Sequence, residues 1–180
     1  MISQFHRPVA LRHRAYQAAW FLVSALIFET AVPFPSGLKT ALLRIFGARV
    51  GQRVVIRPAV SIKTPRLLST GDHVWIGRGV VIDNDEEIVL GSNVCLSQQA
   101  MLISGSHDYH APDFGYVGRP IVIADHCWVA ARAILLAGTR LDKHCFVGPG
   151  VVFSGTLSSH SILRLQQSNL EQIHDPDLLP

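Results

Sequence analysis

The sequence predicts an all-β solenoid, a parallel β-helix whose coils are assembled from hexapeptides. Three observations predict it. Aliphatic residues recur every six positions along most of the 180-residue chain; that period belongs neither to a helix nor to a simple alternating strand and is the mark of hexapeptide β-helices. The residues that break the period do so at one point of the repeat. The composition, 48% hydrophobic and only 16% charged, fits one packed domain and excludes a disordered or coiled-coil chain.

The elements follow in order. Residues 1–46 form a helical extension. Within it Ala18 to Phe28 reads AAWFLVSALIF, preceded by Arg7, Arg12 and Arg14. That resembles the charged and apolar regions of a signal peptide, but no good cleavage site follows and the run is too short to span a bilayer. It is read as a helix stopped by PFPSG at 33–37, packed on the body or lying on a membrane surface. Peripheral membrane association through this helix is therefore an expectation.

Residues 47–158 carry the repeat. Taking the aliphatic residue of each six as position one, the hexapeptides are VGQRVV, IRPAVS, TGDHVW, IGRGVV, LGSNVC and LSQQAM, and from Ile123 an unbroken series, IADHCW, VAARAI, LLAGTR, LDKHCF, VGPGVV and FSGTLS. Position five is small or apolar in that series (Cys127, Ala133, Thr139, Cys145, Val151, Leu157), and turn formers crowd positions two to four. With three hexapeptides per triangular coil, the coils start at Val50, Thr70, Leu90, Ile123 and Leu141. Position-one residues then stack into columns, one of them Ile56, Ile76, Leu96, Val129 and Val147. Stability comes from stacking such columns, at about 1.5–3 kcal/mol per buried aliphatic side chain. A charge at Ile76 or Val129 is expected to be severely destabilising.

The third hexapeptides, starting at Ile62, Ile82 and Leu102, are the ones with extra residues: eight, eight and, from Leu102 to Val122, twenty-one. All insertions thus share one corner of the prism, which suggests a built surface with the loop 104–120 as its main feature. Coils lie roughly 4.8 Å apart, so Asn84, Ser104 and Ala137 become neighbours and the loop bearing His107 springs from above Asp83 and Asn84. Residues 159–180 are a short helical or irregular tail.

His107 is the candidate general base, because a histidine with an unperturbed pKa near 6.5 is largely neutral at cellular pH. Asp108 would orient the ring or shape the loop, and His110 would touch substrate or solvent. Asn84 would bind an acceptor or make a turn, with Asp83 a weaker companion. Ser104 and Ser106 are weak candidates for a nucleophile. Trp128 shares a column with Trp75, Cys95 and Phe146 and reads as packing between prisms or as part of a site at that interface. His126 and His144 stack at position four, with His73 two coils below His126; no zinc spacing is recognised and no metal is expected. Cys127 and Cys145 also stack and read as packed thiols. Three cysteines favour a reducing compartment and a cytoplasmic protein. The net charge of +3 comes with no basic run interleaved with aromatics, so no nucleic acid is expected, while an anionic small molecule is compatible.

The stretches LLRIFGARVG, WIGRGVVIDN, IVLGSNVCLSQQAML, GSHDYHAPDF, PIVIADHCWVAARAILLAGT and VGPGVV, spanning roughly residues 38 to 153, resemble the hexapeptide-repeat acyltransferases. The similarity is strongest to the branch of WcaF-like colanic acid and nodulation/galactoside acetyltransferases. The resemblance implies a left-handed β-helix, a hand that counting cannot give and that runs against the usual rule for parallel crossovers. It implies a homotrimer with sites between prisms, and transfer of an acetyl group from acetyl-CoA to a hydroxyl or amine, often on a sugar. Carried onto this chain, it implies His107 as the catalytic histidine, Asp83 and Asn84 near the acceptor, and Trp128 beside the site. It places CoA contacts at Ala130, Ala131, Gly148 and Pro149. After Phe153 the chain departs from the family's lysine-bearing strand and Gly-Asn-Pro-Ala turn, leaving Arg164 as the basic residue for the CoA phosphates. The expected activity is O-acetylation of a sugar in exopolysaccharide or surface-polysaccharide synthesis, in the cytoplasm or at the inner membrane surface. The alternatives are an acetyltransferase for a small amine or antibiotic, a zinc-dependent hydratase, and a non-catalytic β-helix subunit.

Overall fold

The computed structural model describes residues 11–165 apart from Tyr109. Short strands form three parallel faces of a prism. The first face stacks β1 (Arg49–Val50), β4 (Leu68–Thr70), β7 (Ile88–Leu90), β12 (Ile121–Ile123), β15 (Arg140–Leu141) and β18 (Thr156–Leu157). The second stacks β2 (Val55–Ile56), β5 (Trp75–Ile76), β8 (Cys95–Leu96), β13 (Trp128–Val129), β16 (Phe146–Val147) and β19 (Ile162–Leu163). The third stacks β3 (Ser61–Ile62), β6 (Val81–Asp83), β9 (Met101–Ile103), β14 (Ile134–Leu136) and β17 (Val152–Phe153).

The register is the one counted from the sequence. Thr70 aligns with Leu90, Ile123 with Leu90 and Leu141, and Val129 with Leu96 and Val147. Ile82 aligns with Ile62 and Leu102. Position-one side chains such as Ile76, Leu96, Val129 and Val147 are completely buried, and position-five residues from Val54 to Val151 fill the remaining interior.

The corners explain the rest of the hexapeptide. Position four takes a left-handed backbone at Arg53, Ala59, His73, Asn93, Gln99, His126, Arg132, His144 and His160, and at Gly79, Gly138 and Gly150. Asn and His tolerate this region better than most side chains, which accounts for the histidines of that column as turn residues.

The last coil differs from the count. Leu157 is not a fifth-position residue: it pairs with Leu141 as the start of a further turn, because the corner between Phe153 and Leu157 is two residues short. The solenoid also continues past 158, since β19 pairs with β16. The predicted tail is thus strand as far as Leu163, and residues 166–180 lie outside the described residues.

The N-terminal end of the solenoid would present unpaired strand edges, and the helical extension covers them. Helix α1 (Leu11–Val23) continues into a π-helical turn, Ser24–Phe28, and a second helix, α2 (Ser36–Ile45), follows. The first helix stops at Phe28, short of PFPSG, and the Ser-Gly of that motif opens α2, a separate helix the periodicity did not resolve. Ser36 Oγ accepts the Ile56 N–H at 3.1 Å, Lys39 Nζ donates to the Arg57 carbonyl at 3.0 Å, and Arg44 donates to the carbonyls of Val50 and Gly51. Trp20 Nε1 donates to the Ile62 carbonyl at 2.7 Å, and Phe28 accepts from Val60. The extension therefore packs on the body, with Trp20, Phe28 and Leu43 buried.

Candidate functional site

The shared corner joins the third face to the first. Its longest insertion is a β-hairpin rather than an open loop: β10 (Gly105–His107) pairs antiparallel with β11 (Tyr116–Gly118), His107 opposite Tyr116. Two glycines let it lie against the acidic segment below. A Cβ on Gly105 would sit 2.8 Å from Asp85 Oδ2, and one on Gly118 would sit 2.6 Å from Glu86 Cγ. Tyr116 Oη donates to Glu86 Oε1 at 3.0 Å, tying hairpin to platform.

His107 is clamped within this hairpin. Its Nδ1 is 3.0 Å from the Phe114 carbonyl oxygen, and its ring stacks on the Phe114 ring at 4.7 Å with planes 8° apart. Tyr116 meets it edge-on at 6.1 Å. A carbonyl only accepts, so Nδ1 carries the proton and Nε2 is the basic nitrogen of the neutral ring. Phe114 holds this pose from a positive φ of 51°. Asp108 Oδ1 accepts the His110 N–H at 2.9 Å: of its two expected roles, the carboxylate shapes the turn. His110 is exposed on that turn.

One coil below, Lys63 Nζ lies 2.9 Å from Asp83 Oδ1 and 2.8 Å from Asp85 Oδ2. Those two hydrogen bonds hold the Lys63 ammonium's pKa above its ordinary value against the opposing effect of burial. Of the two roles expected of Asn84, acceptor binding and turn making, the structure displays the contacts of the second. Asn84 is fully buried, with Nδ2 donating to the Thr64 carbonyl at 2.7 Å and Oδ1 accepting the Thr64 N–H at 2.9 Å. The carboxamide turns the chain at Thr64. Ser104, also buried, accepts from Glu86 N and donates to Glu86 O, which removes it as a nucleophile. Beside Asp83 a groove of about 420 Å³ opens between α1 and the third face, lined by Tyr16, Trp20, Phe21, Glu29, Lys63 and Asp83 among others. His107 does not line it.

The residues expected to meet CoA gather elsewhere, at the corner between the second and third faces. Ala130, Gly148 and Arg164 form one row, with Ala130 N donating to Val147 O and Gly148 N to Leu163 O. Ala131 and Pro149 line a shallow cleft of about 490 Å³ with Gln98, Gln99, Arg132 and Gly150. Arg132 Nε donates to Gln99 Oε1 at 2.8 Å. Trp128 stands on the outside of the second face, half exposed, its Nε1 donating to Ser97 Oγ at 2.8 Å and its ring 4.9 Å from Phe146. The whole third face separates this corner from His107, a span of more than ~10 Å at 3.3 Å per strand residue. One chain does not bring the two halves together.

The imidazoles of His126, His144 and His160 stack face to face, 4.8 Å apart at each step, so their nitrogens lie side by side rather than converging. Among the described residues no group of three His, Cys, Asp or Glu could hold a metal ion. Cys127 and Cys145 are buried free thiols. They donate to the carbonyls of Asp142 and Ser158, and burial is the main cause that pushes Cys127 up to about 11.

The sequence reading missed Phe114, Tyr116, Glu86 and Lys63. Lys63 had a signal, because it follows Ile62 as Asp83 follows Ile82 and must stack beneath it. Phe114 had none: its part depends on the hairpin's return strand.

No protein-family model matches the chain. It is 36% identical over 129 residues to a protein of Escherichia coli named as the colanic acid biosynthesis acetyltransferase WcaF, covering 72% of this chain and 71% of that one. Among solved structures it is similar to a hexapeptide-repeat acetyltransferase of Vibrio cholerae (TM-score 0.76, 18% identity, 86% of this chain and 88% of that one). It is likewise similar to a galactoside acetyltransferase in complex with coenzyme A (TM-score 0.74, 16% identity, 87% of this chain and 79% of that one). The fold is the left-handed parallel β-helix of these proteins.

Proposed function

Because the chain belongs to the hexapeptide-repeat acetyltransferases, beside the colanic acid enzyme WcaF, we propose that it moves the acetyl group of acetyl-CoA onto a sugar hydroxyl during exopolysaccharide or surface-polysaccharide synthesis, with His107 as general base. The observation that carries the reading is the bond between Nδ1 of His107 and the Phe114 carbonyl. It fixes the tautomer in which Nε2 takes a proton, and the stacked Phe114 ring fixes the direction in which it does so.

The chemistry balances without a covalent enzyme intermediate. Nε2 takes the hydroxyl proton as the sugar oxygen attacks the thioester carbonyl. The tetrahedral intermediate collapses with loss of the CoA thiolate, which recovers the proton from the imidazolium. The products are an acetyl ester and CoA thiol. Cys127 and Cys145 are buried and Ser104 is spent on Glu86, which supports direct transfer over an acyl-enzyme.

The donor arm would run along Ala130, Ala131, Gly148 and Pro149, with Arg164 and Arg132 near its phosphates; the acceptor would lie toward Asp83. These groups occupy two corners of one prism, so a complete site needs a second subunit, as in the homotrimer the resemblance implies. The outward stripe of Trp75, Trp128, Phe146 and Ile162 on the second face supports such a contact. Placement in the cytoplasm belongs to the same proposal. The test is thioester turnover with candidate glycans: His107→Ala is expected to lower kcat by about 10²-fold or more with an unchanged melting temperature. Near-wild-type turnover would remove His107 from its role.

A further inference from the structure

We infer that the outer face of α1 and its π-helical continuation is a docking surface for an anionic lipid membrane. The inner face of this helix is spoken for: Trp20, Ser24 and Phe28, one turn apart, are buried against the solenoid. The opposite face is apolar and bare. Phe21 is 69% exposed, Leu22 60% and Leu26 68%, with Ala18 and Ala25 exposed between them. No residue from Ala15 to Phe28 is charged. Contiguous exposed aromatic and leucine side chains on one helix face mark a contact surface rather than ordinary scatter.

Charge selects the partner. Residues 1–28 contain Arg7, Arg12 and Arg14 and no Asp or Glu. The rest of the chain carries 13 basic and 13 acidic side chains, so the whole net charge of +3 belongs to this one segment. The first acid, Glu29, is exposed at the groove, its Oε1 accepting from Ser24 Oγ and Ser61 Oγ. Arginines leading into an uncharged helical run with one exposed Phe/Leu face fit helices that lie in the headgroup layer of anionic bilayers. No helix of the described residues is long and apolar enough to cross a membrane. A second copy of the chain fits the surface less well, because its own residues 1–28 carry the same three positive charges. The stripe around Trp75 and Trp128 offers a separate face for self-association.

The docking stands independently of acetyl transfer. Taken with it, it assigns the acceptor a chemical class, since Tyr16, Gln17, Trp20 and Phe21 of the same helix wall the groove beside Asp83. That groove would open at the headgroup level, toward a sugar carried on an apolar anchor.

The test is co-sedimentation of the full chain with vesicles of phosphatidylcholine alone and of phosphatidylcholine mixed with phosphatidylglycerol, at low and high salt. Binding is expected to the anionic vesicles, weakened by salt. The pair Leu22→Glu and Leu26→Glu should reduce it by about tenfold or more with circular dichroism and melting unchanged. Arg7→Glu with Arg14→Glu should reduce it likewise. Equal binding to both vesicle types, no binding to either, or a leucine pair that changes the sedimenting oligomer without changing lipid binding would each overturn the inference.

Discussion

Asp83 and Asn84 are adjacent in the chain and face opposite ways. Strand alternation from buried Ile82 turns Asp83 outward and Asn84 inward, and the same alternation buries Ser104 two residues after Leu102. Asn84→Ala would leave the Thr64 N–H and carbonyl without partners in the interior, at a cost of about 1–3 kcal/mol, read as a lower melting temperature with the acceptor KM unchanged in the folded enzyme. Asp83→Ala breaks an exposed pair worth ~1 kcal/mol or less and should instead raise the acceptor KM at nearly constant melting temperature. A KM effect from Asn84 and none from Asp83 would reverse their roles. Buried Lys39 makes a different prediction. Burial first, and the Arg57 charge second, lower its pKa below 10.5. The folded state thus binds this proton less tightly than the unfolded chain, and the penalty is complete below the folded pKa. Stability from this residue rises with pH through the window up to 10.5. Lys63, raised rather than lowered, acts in the opposite direction, so the informative quantity is the difference between wild type and Lys39→Met. Denaturant unfolding across that window should show the variant's advantage shrinking as pH rises.

At the scale of the element, the hairpin and the helical cap divide what could be read from what could not. The columns, the coil starts and the shared corner all followed from a strict period, because every strand buries the same position against the same neighbour. Antiparallel pairing inside the insertion had no period to announce it. GSHDY and FGYVG pair as Gly105 with Gly118 and His107 with Tyr116, and only their small residues hinted at close approach. The register of the acidic platform, Lys63 under Asp83, was available from the same count that located Asn84. Hairpin and platform also make a prediction that separates positioning from folding. Gly118→Ala drives a Cβ toward Glu86 and the Tyr116 hydroxyl, lifting the hairpin and with it the Phe114 carbonyl that orients His107. The solenoid columns are untouched, so thermal stability should fall by only ~1 kcal/mol or so. Turnover should drop about tenfold or more, since the proposed base would then be misplaced. A variant with full activity would mean that the hairpin's seat on Glu86 does not set the histidine.

At the scale of the whole molecule, a prism that keeps its imidazole at one corner and its candidate donor cleft at another calls for a neighbour. The second face carries Trp75 at 44% and Trp128 at 51% exposure in one outward column, a surface that a soluble monomer would be expected to make polar. In a cyclic trimer the contact is heterologous, one patch of each chain meeting a different patch of the next. Each interface would then join one chain's hairpin to the next chain's cleft. That geometry can be tested by mixing two inactive proteins. His107→Ala removes the proposed base and leaves the cleft; Ala131→Trp fills the proposed donor cleft and leaves His107. After the two are unfolded and refolded together, every mixed trimer has one interface that takes its hairpin from the cleft variant and its cleft from the hairpin variant, so roughly one site in three is whole. Turnover should reappear in the mixture and be absent from either protein refolded alone. Were each site contained in a single chain, no combination of the two could restore it, and the mixture would stay silent however well it assembled.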